Sequence, residues 1–209
     1  KTSTPTQIIA KQKSVDVLAT NTYYTFECGP VELDVVFTAP MLIYDLDMIS
    51  TPINYISYQV RSTDGQEHDV QFYLAATPEM AIHDPDTQST YTNFETKNNI
   101  KYALTRNQFQ KYLDRVADMV AIDWGAFYMP SINGEVTIAS YNVAETEFGS
   151  QGKITTQAKV PVRLAYKRDY PVISYVHDFG KVVNASSFAM LGYDEVWDIE
   201  YFGTRYKGY

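Results

Sequence analysis

The sequence predicts an all-β protein, a large antiparallel β-sandwich with one or two short helices. Apolar and polar residues alternate along many short segments, as half-buried strands require. Gly, Pro, Asn and Asp separate these segments, and the connections are too short for the helical crossovers of a parallel sheet. Because 45% of the 209 residues are hydrophobic, we expect a single domain over residues 1–209 with a substantial core.

The first strands are predicted in the segments QKSVDVL, TYYTFEC and VELDVVFT. One face of them carries Val15, Val17, Tyr24, Phe26, Val31, Leu33 and Val35 at every second position. Cys28-Gly29-Pro30 supplies a flexible and a fixed φ between the last two segments, which predicts a hairpin. The single cysteine is interpreted as a structural thiol within a strand.

A second hairpin is predicted from INYISYQVRS and EHDVQFYLAAT, which Thr63-Asp64-Gly65-Gln66 joins. The alternation places Ile56, Tyr58 and Val60 on one face of the first strand. We expect these side chains to oppose Val70, Phe72 and Leu74 on the second strand. Since Tyr55 lies on the other face, both faces of this element carry aromatic rings.

Further strands are predicted in the segments EMAIH, STYTNFET, IKYALTR, MVAIDWGAFYM, EVTIAS, VPVRLAYK, YPVISYVH and SFAMLGYD. Asp84-Pro85-Asp86, Asn98-Asn99 and Asn133-Gly134 are the predicted turns between them. Phe109, Leu113 and Val116 follow helical spacing in NQFQKYLDRV, which predicts one helix over 107–116. The segment AETEFG predicts a second short helix.

Composition excludes two classes of partner. The formal net charge of −8, with no basic stripe, argues against nucleic acid. No run approaches the roughly 20 apolar residues of a membrane-spanning helix. The chain starts at Lys1 without Met and ends in the aromatic stretch WDIEYFGTRYKGY, so we expect a domain taken from a longer protein.

Catalytic and metal-binding patterns are weak. His68, His83 and His177 each precede an aspartate, but successive strand residues point to opposite faces. Asp45 with Asp47 and Asp84 with Asp86 are interpreted as loop-capping residues rather than calcium ligands. Nucleophile and phosphate-binding motifs are absent from the sequence. We therefore assign no catalytic residue, no metal site and no cofactor.

Aromatic side chains are the most prominent feature, with 18 Tyr, 10 Phe and 2 Trp. We interpret the C-terminal group as packing against an adjoining domain, because amphipathic rings suit such interfaces. This group consists of Trp197, Tyr201, Phe202, Tyr206 and Tyr209. For Trp124, the sequence leaves open whether the indole packs in the core or faces an interface or ligand.

Three segments in this order resemble a known family. YDLDMISTPINYISYQVRSTDGQEHDVQFYLAA, AIDWGAFYM and GYDEVWDIEYFG are similar to the N-terminal β-sandwich region of glutaminase A-like proteins of fungi and bacteria. The resemblance implies a supersandwich-like domain of unknown function in a secreted or periplasmic protein. It also implies that a large helical toroid domain follows and that the whole protein hydrolyses L-glutamine.

Three hypotheses follow from the residues and the resemblance together. The first is a non-catalytic, accessory sandwich that packs on the helical domain of its own parent chain, a glutaminase-like amidohydrolase. The second is a carbohydrate-binding module, for which the partner is a glycan rather than L-glutamine. The third is a stand-alone sugar-active enzyme. If a loop completes the active site of the neighbouring domain, the candidates are Asp123, Trp124 and Tyr128 in IDWGAFY, with His177 and Asp178 in HDFG.

Overall fold

The computed structural model describes residues 8–114, 118, 121–165 and 170–209. The first seven strands are β1 (Lys11–Val17), β2 (Asn21–Cys28), β3 (Val31–Thr38), β4 (Ile53–Ser62), β5 (His68–Ala76), β6 (Thr90–Lys97) and β7 (Ile100–Asn107). The others are β8 (Ala126–Pro130), β9 (Glu135–Ser140), β10 (Val162–Leu164), β11 (Pro171–Val182), β12 (Asn184–Asp194), β13 (Ile199–Tyr201) and β14 (Thr204–Tyr206). The helices are α1 (Leu46–Ser50), α2 (Tyr141–Gln151) and a 3-10 helix (Pro78–Ala81), and none of these is long and apolar enough to cross a membrane.

The strands form two facing sheets and a small hairpin. A nine-stranded sheet has the order β1-β2-β3-β4-β12-β8-β7-β6-β10, and a three-stranded sheet has the order β5-β11-β9. Strands β13 and β14 pair separately near the C-terminus. Neighbouring strands are antiparallel, which confirms the predicted all-β sandwich.

The main core lies between the two sheets. Ile56, Tyr58 and Met129 of the large sheet meet Ile138 and Tyr175 of the small one, and all five are almost fully buried. The period-two faces of the first three strands also point towards this layer, because Val15, Tyr24 and Val35 are directly opposite one another in the ladders. The predicted hairpin at Cys28-Gly29-Pro30 is confirmed, with Cys28 opposite Val31.

The prediction of a hairpin at Thr63–Gln66 is wrong. Strand β4 pairs with β3 and β12, whereas β5 pairs with β11 in the other sheet. The Asp64-Gly65 turn, with a φ of +75° at Gly65, instead carries the chain around a corner from one sheet to the other. Val183 alone connects β11 to β12 at the same corner, and its carbonyl accepts a hydrogen bond of 2.7 Å from Ser62 N.

At the corner, β4 and β5 pack face to face instead of pairing edge to edge. In a hairpin, the apolar faces of β4 and β5 lie side by side, whereas across a sandwich they cover each other. The ring of Tyr58 stacks on that of Phe72 with centroids 3.7 Å apart. The apolar faces of β4 and β5 therefore do oppose each other as predicted, but they meet between the two sheets rather than within one sheet.

Three other local predictions differ from the structure. The EMAIH segment contributes to the 3-10 helix, because Pro78 at its start has no N–H for a strand ladder. The helix predicted over 107–116 does not form in its described part: Asn107 Oδ1 accepts a hydrogen bond from Phe109 N, and Leu113 has a φ of +56°. Val116 lies outside the described residues. Of MVAIDWGAFYM, Met119 and Val120 lie outside the described residues, and in the remainder the strand begins only at Ala126.

The two sheets differ in how their outer faces are covered. Helix α2, which contains the predicted AETEFG helix, packs on the outer face of the small sheet, where Phe148 stacks on Tyr73 at 4.6 Å. Among the described residues, no helix packs in the same way on the outer face of the nine-stranded sheet.

We predict that the Tyr58 ring is a major source of stability. Tyr58→Ala removes a side chain that is 2% exposed and should lower the free energy of unfolding by about 3–5 kcal/mol. Tyr58→Phe keeps the stack but removes the hydroxyl that bonds to Tyr175 and to His177 Nδ1, with an expected cost of about 1–3 kcal/mol. Urea unfolding measures both, and equal losses for the two variants would contradict this account.

Candidate functional site

The loop before β8 and the segment after β12 meet at one end of the nine-stranded sheet. Gly125 has a φ of +79°, and a Cβ added there would lie 2.2 Å from the carbonyl oxygen of Asp194. Tyr193 donates a hydrogen bond of 2.8 Å from its hydroxyl to the carbonyl of Trp124. These contacts bring IDWG and YDEVW, two of the segments that carry the family resemblance, into direct contact.

Glutamine side chains hold the IDWG loop in place. Gln110 accepts a hydrogen bond of 2.6 Å from Gly125 N, and the amide nitrogen of Gln88 donates to a carboxylate oxygen of Asp123. Asp123 is 4% exposed, and Trp124 is 8% exposed. The Trp124 indole N–H has no acceptor within the described part of the chain. The structure thus places Trp124 among buried side chains.

A group of carboxyls lies immediately after β12. Burial, followed by a hydrogen bond with Asp198, raises the pKa of Glu195 above its ordinary value, so the Glu195 carboxyl keeps its proton to a higher pH than an exposed glutamate does. Asp194 accepts hydrogen bonds of 2.6 Å from Val196 N and from the Tyr209 hydroxyl. Val196 has a φ of +69°, which is rare for a β-branched residue and marks a strained backbone.

Tyr128 lies beside this carboxyl group. Its ring meets that of Tyr102 edge-on with centroids 5.5 Å apart. Burial, and then the charge of Asp194, raise the pKa of Tyr128 to about 12, so its phenol is neutral at physiological pH. Tyr128 and Tyr209 line a cavity of about 250 Å³ together with residues 51–53 at the start of β4.

The chemistry available here is hydrogen bonding, together with one carboxyl, that of Glu195, whose pKa is raised. Neutral phenols can donate to a polar group, and the carboxyls can accept. No group of three or more His, Cys, Asp or Glu residues suited to a metal ion occurs among the residues that the structure describes. The arrangement is therefore a well-ordered polar joint between two segments of the chain.

His177 occupies a different place. It lies on β11, its Nδ1 is 2.8 Å from the hydroxyl of Tyr58, and that hydroxyl is 2.9 Å from the hydroxyl of Tyr175. The imidazole also stacks on Phe179 with centroids 4.2 Å apart. Burial lowers the pKa of His177, although the charge of Asp178 opposes this effect. The neutral imidazole thus ends a chain of hydrogen-bonded rings that reaches into the core.

The structure does not bring the two predicted loop candidates together. Asp178 accepts a hydrogen bond of 2.9 Å from Gly180 N and caps the bulge in β11. Tyr58, the partner of His177, pairs with Ser187 of β12, seven residues before Asp194. At roughly 3.3 Å per residue, this distance is about 23 Å along the strand. The IDWG loop and the HDFG segment therefore cannot line one small-molecule site.

The predicted interface aromatics lie mostly at the surface. Trp197 is half-buried, whereas Phe202, at the tip of the β13–β14 hairpin, is 91% exposed. Tyr201, Tyr206 and Tyr209 are also exposed. Sequence reasoning missed a second exposed apolar segment, the loop from β3 into α1, where Tyr44 is 97% exposed. Its signal in the sequence was MLIYDL, an apolar run without the alternation of a strand.

These two segments form what we term the apolar rim. The rim comprises Met41, Leu42, Ile43, Tyr44 and Leu46 of the loop, with Ile199, Tyr201, Phe202, Tyr206 and Tyr209 near the C-terminus. Both segments belong to the same end of the sandwich, because Tyr193 N donates to Pro52 O and Tyr209 lines a cavity with Pro52. The IDWG loop lies at this end as well.

The remaining candidates have local roles. His68 Nε2 lies 2.9 Å from Asp64 rather than bonding to Asp69, and His83 Nδ1 accepts a hydrogen bond from Ala121 N. Asp45 caps α1 through Met48 N. Asp84 accepts hydrogen bonds from Asp86 N and from the Thr87 hydroxyl. The predicted loop-capping role is therefore confirmed for Asp45 and for Asp84.

Comparison with known proteins gives two findings. Residues 20–209 match the family described as Domain of unknown function (DUF5127). The chain is also 25% identical over 206 residues to Glutaminase A from Aspergillus oryzae. That similarity covers 96% of this chain but only 29% of the length of the fungal protein.

We predict that Gly125 tolerates no side chain. Gly125→Ala combines an unfavourable φ with a clash against the Asp194 backbone, so it should cost more than 2 kcal/mol of stability. Gly203→Ala is the matched control, because Gly203 has a φ of +77° but no atom within 4 Å of an added Cβ. Its cost should be only the strain of about 1–2 kcal/mol. Equal losses in urea unfolding would show that the close contact is unimportant.

We predict a pH signature for Glu195. Because its pKa is raised in the folded state, the stability gained by its protonation is complete below the ordinary value of 4.5 and is lost as pH rises through the folded value. Glu195→Gln should therefore raise Tm at pH 7 but not at pH 4. Glu135→Gln, on the exposed start of β9, is the control and should change neither. An equal effect of Glu195→Gln at both pH values would contradict the assignment.

Proposed function

The chain belongs to the DUF5127 family of domains of unknown function, and from this membership we propose that it is the non-catalytic N-terminal sandwich of a longer glutaminase-like protein. In that protein, it packs on a following helical domain. The parent then hydrolyses L-glutamine to L-glutamate and ammonia. The similarity to a fungal glutaminase of which this chain spans 29% supports the proposal, because most of that protein lies outside the matched region.

The apolar rim carries the docking part of the proposal. Large apolar side chains that are exposed together at one end of a soluble domain mark sites of interaction. Phe202 and Tyr44, each more than 90% exposed, are rings of the kind that anchor protein interfaces. The rim includes Tyr201, Phe202 and Tyr206 of the β13–β14 hairpin, a two-stranded unit that, among the described residues, pairs with neither of the larger sheets, so its rings are accessible to another domain.

The IDWG loop lies at the same end, so it belongs to the proposed junction. There, the Trp124 carbonyl accepts a hydrogen bond from Tyr193, and Gly125 packs against the backbone of Asp194, which leads towards the β13–β14 hairpin. The HDFG segment lies away from the rim. We therefore extend the proposal to the IDWG loop only, as the part of this domain that shapes the boundary of the neighbouring domain and its active site.

We expect the rim to be covered in the parent protein. Amide hydrogen exchange over residues 41–46 and 199–206 should be slower in the parent than in the 209-residue chain. Tyr44→Asp with Phe202→Asp should restore fast exchange in the parent, because two charges in an apolar interface are costly. Val183→Asp is the control, since Val183 is also exposed but lies at the far end of β4, about 30 Å away. Equal exchange in the parent and the chain would overturn the docking role.

The catalytic part has a separate measurement. The 209-residue chain should release no ammonia from L-glutamine above the uncatalysed rate, whereas the parent should turn it over. Asp123→Ala in the parent should lower turnover, while the corresponding change at His177 should not. Substantial hydrolysis by the 209-residue chain would refute the non-catalytic role.

A further inference from the structure

A groove crosses the uncovered outer face of the nine-stranded sheet. Its volume is about 600 Å³, which is within the range of roughly 300–1,000 Å³ that small-molecule sites occupy. Strands β3, β4 and β12 form its floor, and Asn133 of the β8–β9 turn lies at its border. Asn133 Nδ2 donates to Phe188 O, which fixes this border to the sheet. The groove is separate from the apolar rim.

The ladder register gives the groove two rows. Asp34, Gln59 and Ser186 lie directly opposite one another and form a polar row across the three strands. Val36, Ser57 and Phe188 form the adjacent row, which is largely apolar. The small side chains of Ser57 and Ser186 leave the space between the larger residues, and this difference in size creates the depression.

The polar row is held in position. Asp34 accepts a hydrogen bond of 2.7 Å from the Thr25 hydroxyl and lies 2.8 Å from Arg61, and Gln59 donates to Asn184 at 3.0 Å. The side chains of Ser57 and Ser186 line the groove beside these groups. They are therefore available to a ligand, next to groups whose positions are already fixed.

The apolar row offers a ring. Phe188 is 37% exposed, and its ring lies 6.0 Å from that of Tyr55 on the same face. The ring of Phe188 thus borders the serine hydroxyls of the floor. A ligand that fits has one apolar face for the ring and hydroxyl groups at its edge for the polar row.

The chemistry of the groove excludes other ligand classes. Asp34 lies in the polar row, its neighbour Arg61 is shared with Glu32, and the described residues that line the groove include no Lys or Arg to bind a phosphate. The backbone groups of β3, β4 and β12 are paired with one another along this stretch, which prevents an extended peptide from adding as a strand. The polar floor does not suit a lipid chain.

We infer that this groove binds a neutral oligosaccharide. A sugar ring presents an apolar face of C–H groups and an edge of hydroxyls, which are both donors and acceptors. The C–H face stacks on Phe188, and the hydroxyls bond to Ser57, Ser186 and Gln59. This binding function goes beyond the docking role and does not depend on it.

Isothermal titration of the 209-residue chain with neutral hexasaccharides of glucose, xylose and mannose tests the inference. At least one should bind saturably, whereas hexagalacturonate should not, because its carboxylates meet Asp34. Phe188→Ala should weaken binding about tenfold, the scale of one aromatic contact. Ser57→Val, which fills the floor while keeping a residue suited to strands, should weaken binding at least as much.

Phe202→Ala in the apolar rim is the matched control and should leave saccharide binding unchanged. Thermal unfolding of each variant checks its fold, and Ser57→Val decides if Phe188→Ala does not fold. Binding of none of the neutral hexasaccharides, or binding that persists unchanged in the folded groove variants, would overturn the inference. The docking proposal is affected by neither result, because exchange protection at the rim tests it.

Discussion

The stack of Tyr58 on Phe72 at the corner between the two sheets is the constraint on which the rest of the fold depends. It assigns β4 and β5, which are adjacent in sequence, to different layers. Each strand then pairs with a strand from far along the chain, β4 with β12 and β5 with β11. Strands β11 and β12 are consecutive in the chain and turn around the same corner. The remaining strands extend the two sheets from these four strands, and their apolar faces close the core.

Period-two alternation was sufficient to assign faces, because the direction of a strand side chain is a local property. Ile56, Tyr58 and Val60 are buried as predicted. The choice of partner was not predictable in this way. Asp64-Gly65 is compatible with both a hairpin and a corner, and the difference lies in contacts more than 100 residues apart, such as Tyr58 with Tyr175. The prediction of a helix over 107–116 was wrong because the Asn107 side chain accepts a hydrogen bond from Phe109 N, which favours a turn at that point.

The candidate site was predictable only in its parts. IDWG and the C-terminal aromatics were singled out by composition, but the contact of Gly125 with Asp194 depends on β8 lying next to β12, which no local pattern reveals. The loop around Tyr44 was missed because a short apolar run is compatible with a buried strand as well as with an exposed loop. The groove was missed for a related reason: Asp34, Gln59 and Ser186 become neighbours only through the register of three strands.

The edge strand β1 of the nine-stranded sheet bears on the self-association of the protein. Among the described residues, strand β1 pairs with β2 alone, and the side chains of Val15 and Val17 on its inward face are exposed. An edge strand of this kind can pair with the same edge strand of another copy of the protein. Lys11 and Lys13 lie along β1, and Lys13 forms an ion pair with Glu32. Basic side chains on an unprotected border disfavour edge-to-edge addition, so this pair of lysines acts as a safeguard against fibrous self-association.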